Sequence, residues 1–265
     1  MEINEKNFNI VSSKFSLIYP RNSLIRRKAN EFEDAFCEKY LAPSVLPVPD
    51  EIEPEMPRIL LGSKNGHSQI SVSQISLELN VNYTNDYIKE YSLCENYLLD
   101  RTNIILHTLK SIKLENILYI GLSTFIEIPL DITDDKILQH IVDKLSKSTF
   151  KDLHDFHQKL TFILSDEYYL NIGVSNYRKY SSSEEQYPTM TFSISNAKVV
   201  ERGILVSIDI NNRYRFNKFG DSLPKESIIS ERDLLFQTTK EMISKGVVQL
   251  LNEGVLKDGI VCNAK

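Results

Sequence analysis

An α+β protein is the fold class this sequence predicts, with mostly antiparallel strands and long helices packed on one face. Three observations carry it. Strand-like runs with alternating apolar residues, such as Met190/Phe192/Ile194 and Ile204/Val206/Ile208/Ile210, recur along the chain. Two longer stretches, 85–113 and 231–252, instead carry apolar residues at helical spacing. Asn65-Gly66 between two strand-like runs signals a hairpin, and so an antiparallel pair. The 265 residues suit one large domain or two closely packed halves.

The elements follow in chain order. Phe8–Tyr19 mixes β-branched and aromatic residues and stops at Pro20, so it reads as a strand. Arg21–Lys28 is a basic connector. Asn30 is placed to cap a helix over Glu31–Leu41, with Phe32, Ala35, Phe36 and Tyr40 on its apolar face. Residues 43–57 hold five of the nine prolines and four acids, which predicts an extended surface linker. Strands Arg58–Ser63 and His67–Asn82 flank Lys64-Asn65-Gly66, a hairpin signal. The alternation in the second strand slips by one residue near Ser73–Gln74, and a β-bulge would absorb the slip. Asn85–Lys113 reads as a long helix and Ile117–Ile128 as a central strand ended by Pro129. The first half, 1–130, therefore has the order β-α-β-β-α-β, a ferredoxin-like order.

In the second half, 131–265, Thr133 caps a helix to Leu145. Strands are expected at Leu160–Tyr177 (with a break at Ser165–Glu167), Thr189–Ser195 and Gly203–Asn211. A last helix runs from Glu231 to about Asn252, with Ser230 and Asp233 as a capping-box-like start. The halves either pack against each other or run together as one domain.

Composition narrows function more than it names it. Lys and Arg total 31 against 36 Asp and Glu, a net charge of −5, which disfavours a general nucleic-acid coat. Hydrophobic residues at 42% and charged residues at 25% are ordinary globular values. No apolar run reaches the ~18 residues of a transmembrane helix, and residues 1–9 do not resemble a signal peptide. Three scattered cysteines, Cys37, Cys94 and Cys262, predict no disulfide framework or zinc cluster, so a reduced, cytoplasmic setting is expected.

No phosphate-binding glycine motif occurs among the nine glycines. His154 and His157, with Asp152 and Asp155 between and before them, offer two metal-type ligands but no third, and read better as a solvated connector. Arg101 and His107 have the R-x5-H spacing of HEPN-type ribonucleases. On one helix they lie about 120° apart, off a common face, and that family is all-helical. Cys37 and Cys94 fall among apolar helix positions and read as small hydrophobes. Asp209 is a mid-strand carboxylate opposite an apolar face, without an identifiable partner. These features name no catalytic residue, no metal and no cofactor.

Three basic clusters are the most informative polar features. Arg21, Arg26, Arg27 and Lys28 form the first. Tyr177-Arg178-Lys179-Tyr180 and Arg213-Tyr214-Arg215-Phe216-Asn217-Lys218-Phe219 interleave cations with aromatics. Arg21, Arg26, Arg27, Arg178, Tyr180, Arg213, Arg215 and Lys218 are the candidate binding residues. Such interleaving suits single-stranded nucleic acid, where rings stack on bases and cations hold phosphates. It equally suits a protein interface. The plainest reading is strand alternation, rings inward and cations outward.

The chain also resembles a sporadically distributed prokaryotic family of about 260 residues with no assigned activity. The matching text is Gln69-Ile70-Ser71 through Ile75 to Asn80, then Tyr83 and Tyr87 entering a long helix. Tyr119-Ile120-Gly121-Leu122 leading to Phe125-Ile126-Glu127-Ile128 corresponds to its central strand, without that strand's Arg and Asn. Val206-Ser207-Ile208-Asp209-Ile210 resembles its late strand, and Phe236 the early aromatic of its closing helix. The resemblance implies fold and a prokaryotic or phage origin, and its patchy distribution suits mobile-element or defence loci. The leading expectation is a non-enzymatic accessory subunit with a protein partner or a second copy, away from membranes. Single-stranded nucleic-acid binding is the alternative, and a nuclease or other hydrolase the third.

Overall fold

A computed structural model describes residues 1–114, 116–146, 151–181 and 198–256. Its centre is one antiparallel sheet of nine strands in the order β2-β3-β4-β5-β1-β6-β9-β8-β7. The strands are β1 (Asn9–Ile18), β2 (Ser44–Val45), β3 (Ile59–Gly62), β4 (Ser68–Val72), β5 (Ser76–Asn82), β6 (Tyr119–Pro129), β7 (His157–Leu164), β8 (Tyr168–Tyr180) and β9 (Val199–Asn211). The helices are α1 (Ala29–Phe36), α2 (Tyr91–Ser111), α3 (Asp134–Leu145), α4 (Arg213–Phe219), α5 (Ile228–Glu241) and α6 (Val247–Glu253). The sheet runs without interruption from one half of the chain to the other, because β6 pairs with both β1 and β9.

The strands alternate as a half-covered sheet requires. Phe15 and Leu17, Leu77 and Leu79, Ile120 and Leu122, Ile204 to Ile210, and Leu170 to Val174 all point to one face, and all are buried. Helices α2, α3 and α5 pack on that side. The intervening residues form the opposite face, which is polar and half-exposed.

The prediction of an α+β protein with antiparallel pairing holds. Its finer points do not. The expected bulge at Ser73–Gln74 is a turn that makes two strands, β4 and β5, from one. Ser73 Oγ accepts the N–H groups of Ile75 and Ser76, at 3.2 and 2.9 Å, a local bond that competes with the ladder. Tyr19 Oη staples the turn to the end of β1 by donating to the Ser73 and Ser76 carbonyls, at 2.8 and 2.9 Å. With β2 added, the first half reads β-α-β-β-β-β-α-β, not the ferredoxin-like β-α-β-β-α-β. The helices are not all long, nor all on one face. α4 caps the end of the sheet, and its Phe216 and Tyr214 meet Tyr119 and Tyr169 on the polar side, at ring separations of 5.8 and 5.2 Å.

Smaller corrections have local causes. A 3-10 turn over Ile25–Lys28 leads straight into α1, which ends at Phe36 without Asn30 as its cap. In the β3–β4 hairpin only Gly66 takes a positive φ, 74°, and its N–H donates to the Ser63 carbonyl at 3.0 Å. The last helix begins at Ile228 rather than at a Ser230 box, and a π-helical turn over Met242–Gly246 separates α5 from α6. The break at Ser165–Glu167 is real: Ser165 and Asp166 both take positive φ, turning β7 into β8. The strand expected at Thr189–Ser195 lies outside the described residues.

Candidate functional site

The first basic cluster is an internal fastening. Arg21 Nε donates to Gln74 Oε1 at 2.9 Å and its guanidinium to the Asp50 carbonyl at 2.6 Å. Arg26 donates to the Val48 carbonyl and lies 3.4 Å from the Asp50 carboxylate. Both therefore hold the proline-rich loop, the stretch expected as an extended surface linker. Arg26 is half-buried, whereas Arg21 and Arg27 are exposed. At the centre of the same loop sits a residue that sequence reading missed. Arg58 is fully buried, and its guanidinium donates to the carbonyls of Met56 and Ile52 at 2.7 Å, Pro49 at 3.0 Å and Glu53 at 3.4 Å. The only hint in the sequence is an arginine between a proline and an apolar strand.

The second cluster lies at the far end of the sheet. Arg178 is matched by Asp155 at 2.8 Å and Asp134 at 3.3 Å. The donated bonds from Arg178 and Asn176 hold the Asp155 carboxyl below its usual range. Lys179 bridges Glu127 and Glu201 at 2.5 and 2.8 Å, and that bond lowers the Glu201 carboxyl in turn. Tyr180 is half-buried. Alternation does not sort rings from cations here: Arg178 and Tyr180 share one side of β8 and Tyr177 and Lys179 the other, and both cations are matched by carboxylates from neighbouring elements.

The third cluster is a helix, not a strand. Residues 213–219 carry no β-branched side chain, and Gly220 closes α4 in the left-handed conformation at φ 74°. Arg213 lies over the Tyr119 ring at 5.7 Å. Lys218 pairs with Asp166 at 3.4 Å. Arg215 points inward to Glu231 at 3.5 Å. Glu231 is buried, and its Oε2 accepts from Tyr168 Oη at 2.7 Å and Asn212 Nδ2 at 3.0 Å. Asn212 Oδ1 also accepts the Ile120 N–H at 2.8 Å, so this keystone ties β6, β8, β9, α4 and α5 together.

The strand register separates these clusters. Ile18 pairs with Tyr119 and Gly121 with Asn211, which puts Arg21 and α4 towards one end. Arg178 and Lys179 lie past the pairing of Tyr177 with Gly203, at the other. The eight candidate residues do not converge on one surface.

What does converge is the polar face. Register pairs place Thr161, Asn171, Asp209, Ser123, Lys14, Asn80 and Gln69 in one transverse row across seven strands. Asp209, which lacked a partner in the sequence, is the centre. Its Oδ1 accepts from Ser123 Oγ at 2.9 Å, and its Oδ2 from Asn171 Nδ2 at 2.8 Å and Asn211 Nδ2 at 3.0 Å. Thr161 Oγ1 donates to Asn171 at 2.8 Å, and Lys14 pairs with Glu78 at 2.6 Å. Glycines 121 and 173 keep the floor low, and Phe125 stands 37% exposed beside it. A carboxylate with both oxygens occupied by amides and a hydroxyl, and no histidine alongside, is poorly placed as a general base. The row is suited to hydrogen-bonding a docked surface.

The other singled-out residues lie apart from it. His154 is exposed beside Asp155, while His157 opens β7 rather than sharing a helix with it. Among the described residues no three His, Cys, Asp or Glu side chains could hold a metal ion. Arg101 stacks 3.7 Å over the Tyr97 ring and His107 is exposed. Cys94 is buried, and burial pushes its thiol up to about 12. Cys37, expected among apolar positions, is exposed at the end of α1. Cys262 lies outside the described residues. Among the described residues no helix is long and apolar enough to cross a membrane. Compared with protein-family models, curated proteins and solved structures, the chain matches none.

Proposed function

We propose that this chain is a non-enzymatic accessory subunit that binds a protein partner through the open polar face of its sheet. The observation that carries the reading is the transverse row centred on Asp209. It offers amide, hydroxyl, ammonium and carboxylate groups across seven strands, with Phe125 exposed among them. Charge favours protein over nucleic acid. Arg21, Arg26, Arg178, Arg215 and Lys218 are engaged with carboxylates or carbonyls, and the chain's net charge is −5. A cytoplasmic role in a prokaryotic mobile-element or defence locus belongs to the same proposal and rests on the family resemblance alone.

The test is gentle affinity purification from the native host, read by mass spectrometry and by the 260/280 nm absorbance ratio. A stoichiometric protein that is lost from a Phe125→Glu variant supports the reading. Nucleic acid without a protein, or a partner indifferent to Phe125→Glu and to Ser123→Arg, overturns it.

A further inference from the structure

The two edges of the sheet are unlike. At one, β2 has only two residues, lies between Pro43 and Pro47, and continues into the loop that Arg58 holds. Prolines and short strands are the usual protection against a second sheet pairing there. At the other edge, β7 has eight residues, contains no proline or glycine, and pairs with β8 in unbroken register from His157 to Leu164. Among the described residues it has no neighbour on its outer side. About half of its backbone N–H and C=O groups, on alternate residues, therefore point away from β8. Its side chains do not deter pairing. Lys159 is the single charged residue in the strand, Ile163 is 52% exposed, and Leu160 and Phe162 are only partly buried at the margin of the core.

We propose that two copies of this chain associate through β7, antiparallel about a two-fold axis, joining the two sheets into one. An open edge is satisfied by another open edge of like length, and within the described chain β7 is the only long unprotected one. Side chains that face each other across an antiparallel pair share a face of the sheet. That condition puts the axis at a residue, either Leu160 or Thr161. Both settings pair Lys159 with an uncharged residue, Thr161 in the first and Ile163 in the second, so no lysine faces its own copy. The Leu160 setting pairs Leu160 with its own copy and Phe162 with Gln158, and the Thr161 setting pairs Leu160 with Phe162, so either extends the apolar side across the axis. In the Thr161 setting the polar rows of the two copies become continuous through Thr161. This inference stands whether or not the accessory-subunit reading does, since it concerns the edge and not the face.

Sedimentation of the purified full chain tests it. The expected species is a dimer of about 61 kDa, twice 30.6 kDa. Ile163→Lys adds a charge at an exposed position and is expected to weaken association roughly tenfold or more, with an unchanged circular dichroism spectrum. A nitroxide at Lys159→Cys, with Cys37→Ser and Cys262→Ser and the buried Cys94 left in place, gives the geometry. Both axis settings bring the two labels within roughly 25 Å, from ~3.3 Å of rise per residue. A 30.6 kDa monomer at all concentrations up to about 100 μM overturns the proposal. So does a dimer that survives Ile163→Lys, or one whose labels lie beyond that distance. A monomer that nevertheless brings down a partner sinks this inference and leaves the proposed function intact.

Discussion

Replacing Arg58 by Met removes the centre of the proline-rich loop while nearly conserving the length of the side chain. Three of the four carbonyls that Arg58 serves lie within 3.0 Å of its guanidinium. A hydrogen bond from a charged group contributes about 1.5–3 kcal/mol net. Three such bonds set an upper range of several kcal/mol. The loop residues 49–56 are largely exposed, so their carbonyls can turn to water once the cation is gone, which pulls the loss to the lower end. About 3 kcal/mol is expected, or a fall in Tm of roughly 6–12 °C for a chain of this size. Arg21→Met, which loses two bonds from an exposed residue, should cost under about half as much. Thermal melts by circular dichroism give the magnitude, and amide exchange at residues 46–56 gives the location. A melt within 1 °C of the parent, with the loop amides still protected, would show that packing of the prolines orders this loop and that the buried guanidinium does not.

Other perturbations follow from the same geometry. Glu231→Gln leaves Tyr168 and Asn212 competing for one weaker acceptor and should lower stability by roughly 1–3 kcal/mol, read by urea unfolding; no change would place the keystone elsewhere. A Cβ at Gly203 would sit 2.1 Å from the Ile128 carbonyl oxygen, so Gly203→Ala should cost roughly 2–3 kcal/mol or more and fray the β6–β9 pairing, seen in amide exchange. His140 is buried, and burial lowers its pKa below the ordinary 6.5, while its Nε2 bonds the Leu251 carbonyl at 2.9 Å. Below about pH 6.5 the unfolded chain binds this proton and the folded chain resists it, so stability falls as pH drops through that range. His140→Gln should flatten that part of the curve, and a profile identical to the parent would refute the assignment. Asp209→Ala leaves Ser123, Asn171 and Asn211 without their acceptor on a half-exposed face and should cost only about 1 kcal/mol in a thermal melt; a much larger loss would make the row a stability element first.

How much of this was legible in the sequence depends on the range of the interaction concerned. Alternation in Ile204–Ile210 and helical spacing in 91–111 are local signals, and both elements form, the helix starting six residues later than the expected Asn85 and the strand four residues before the expected Gly203. A residue's immediate neighbours also decide that Gly220 and Gly254 end helices, since only a glycine takes φ 74° there without strain. The single strand expected over His67–Asn82 became two through the Ser73 hydroxyl, which bonds the Ile75 and Ser76 N–H groups, and Tyr19, more than fifty residues earlier, fastens that turn to β1. The aromatic-basic run at 213–219 has both strand-like and helix-compatible spacing, and Tyr119 and Tyr169 from distant strands receive it as a helix.

Alternating strands, antiparallel class and the absence of familiar catalytic motifs were therefore determined by the sequence itself. They rest on side-chain periodicity and residue type, which need no partner beyond a few positions. Which cations are free, what Asp209 touches and which strand ends the sheet were decided only by the tertiary structure. Most of these depend on a carboxylate or a strand brought from tens of residues away, and the rest on how a loop folds back on itself. Arg58 and Arg27 are the same residue type a short distance apart. One lies fully buried beneath a loop and the other in water, and only the folded chain places four carbonyls around the first.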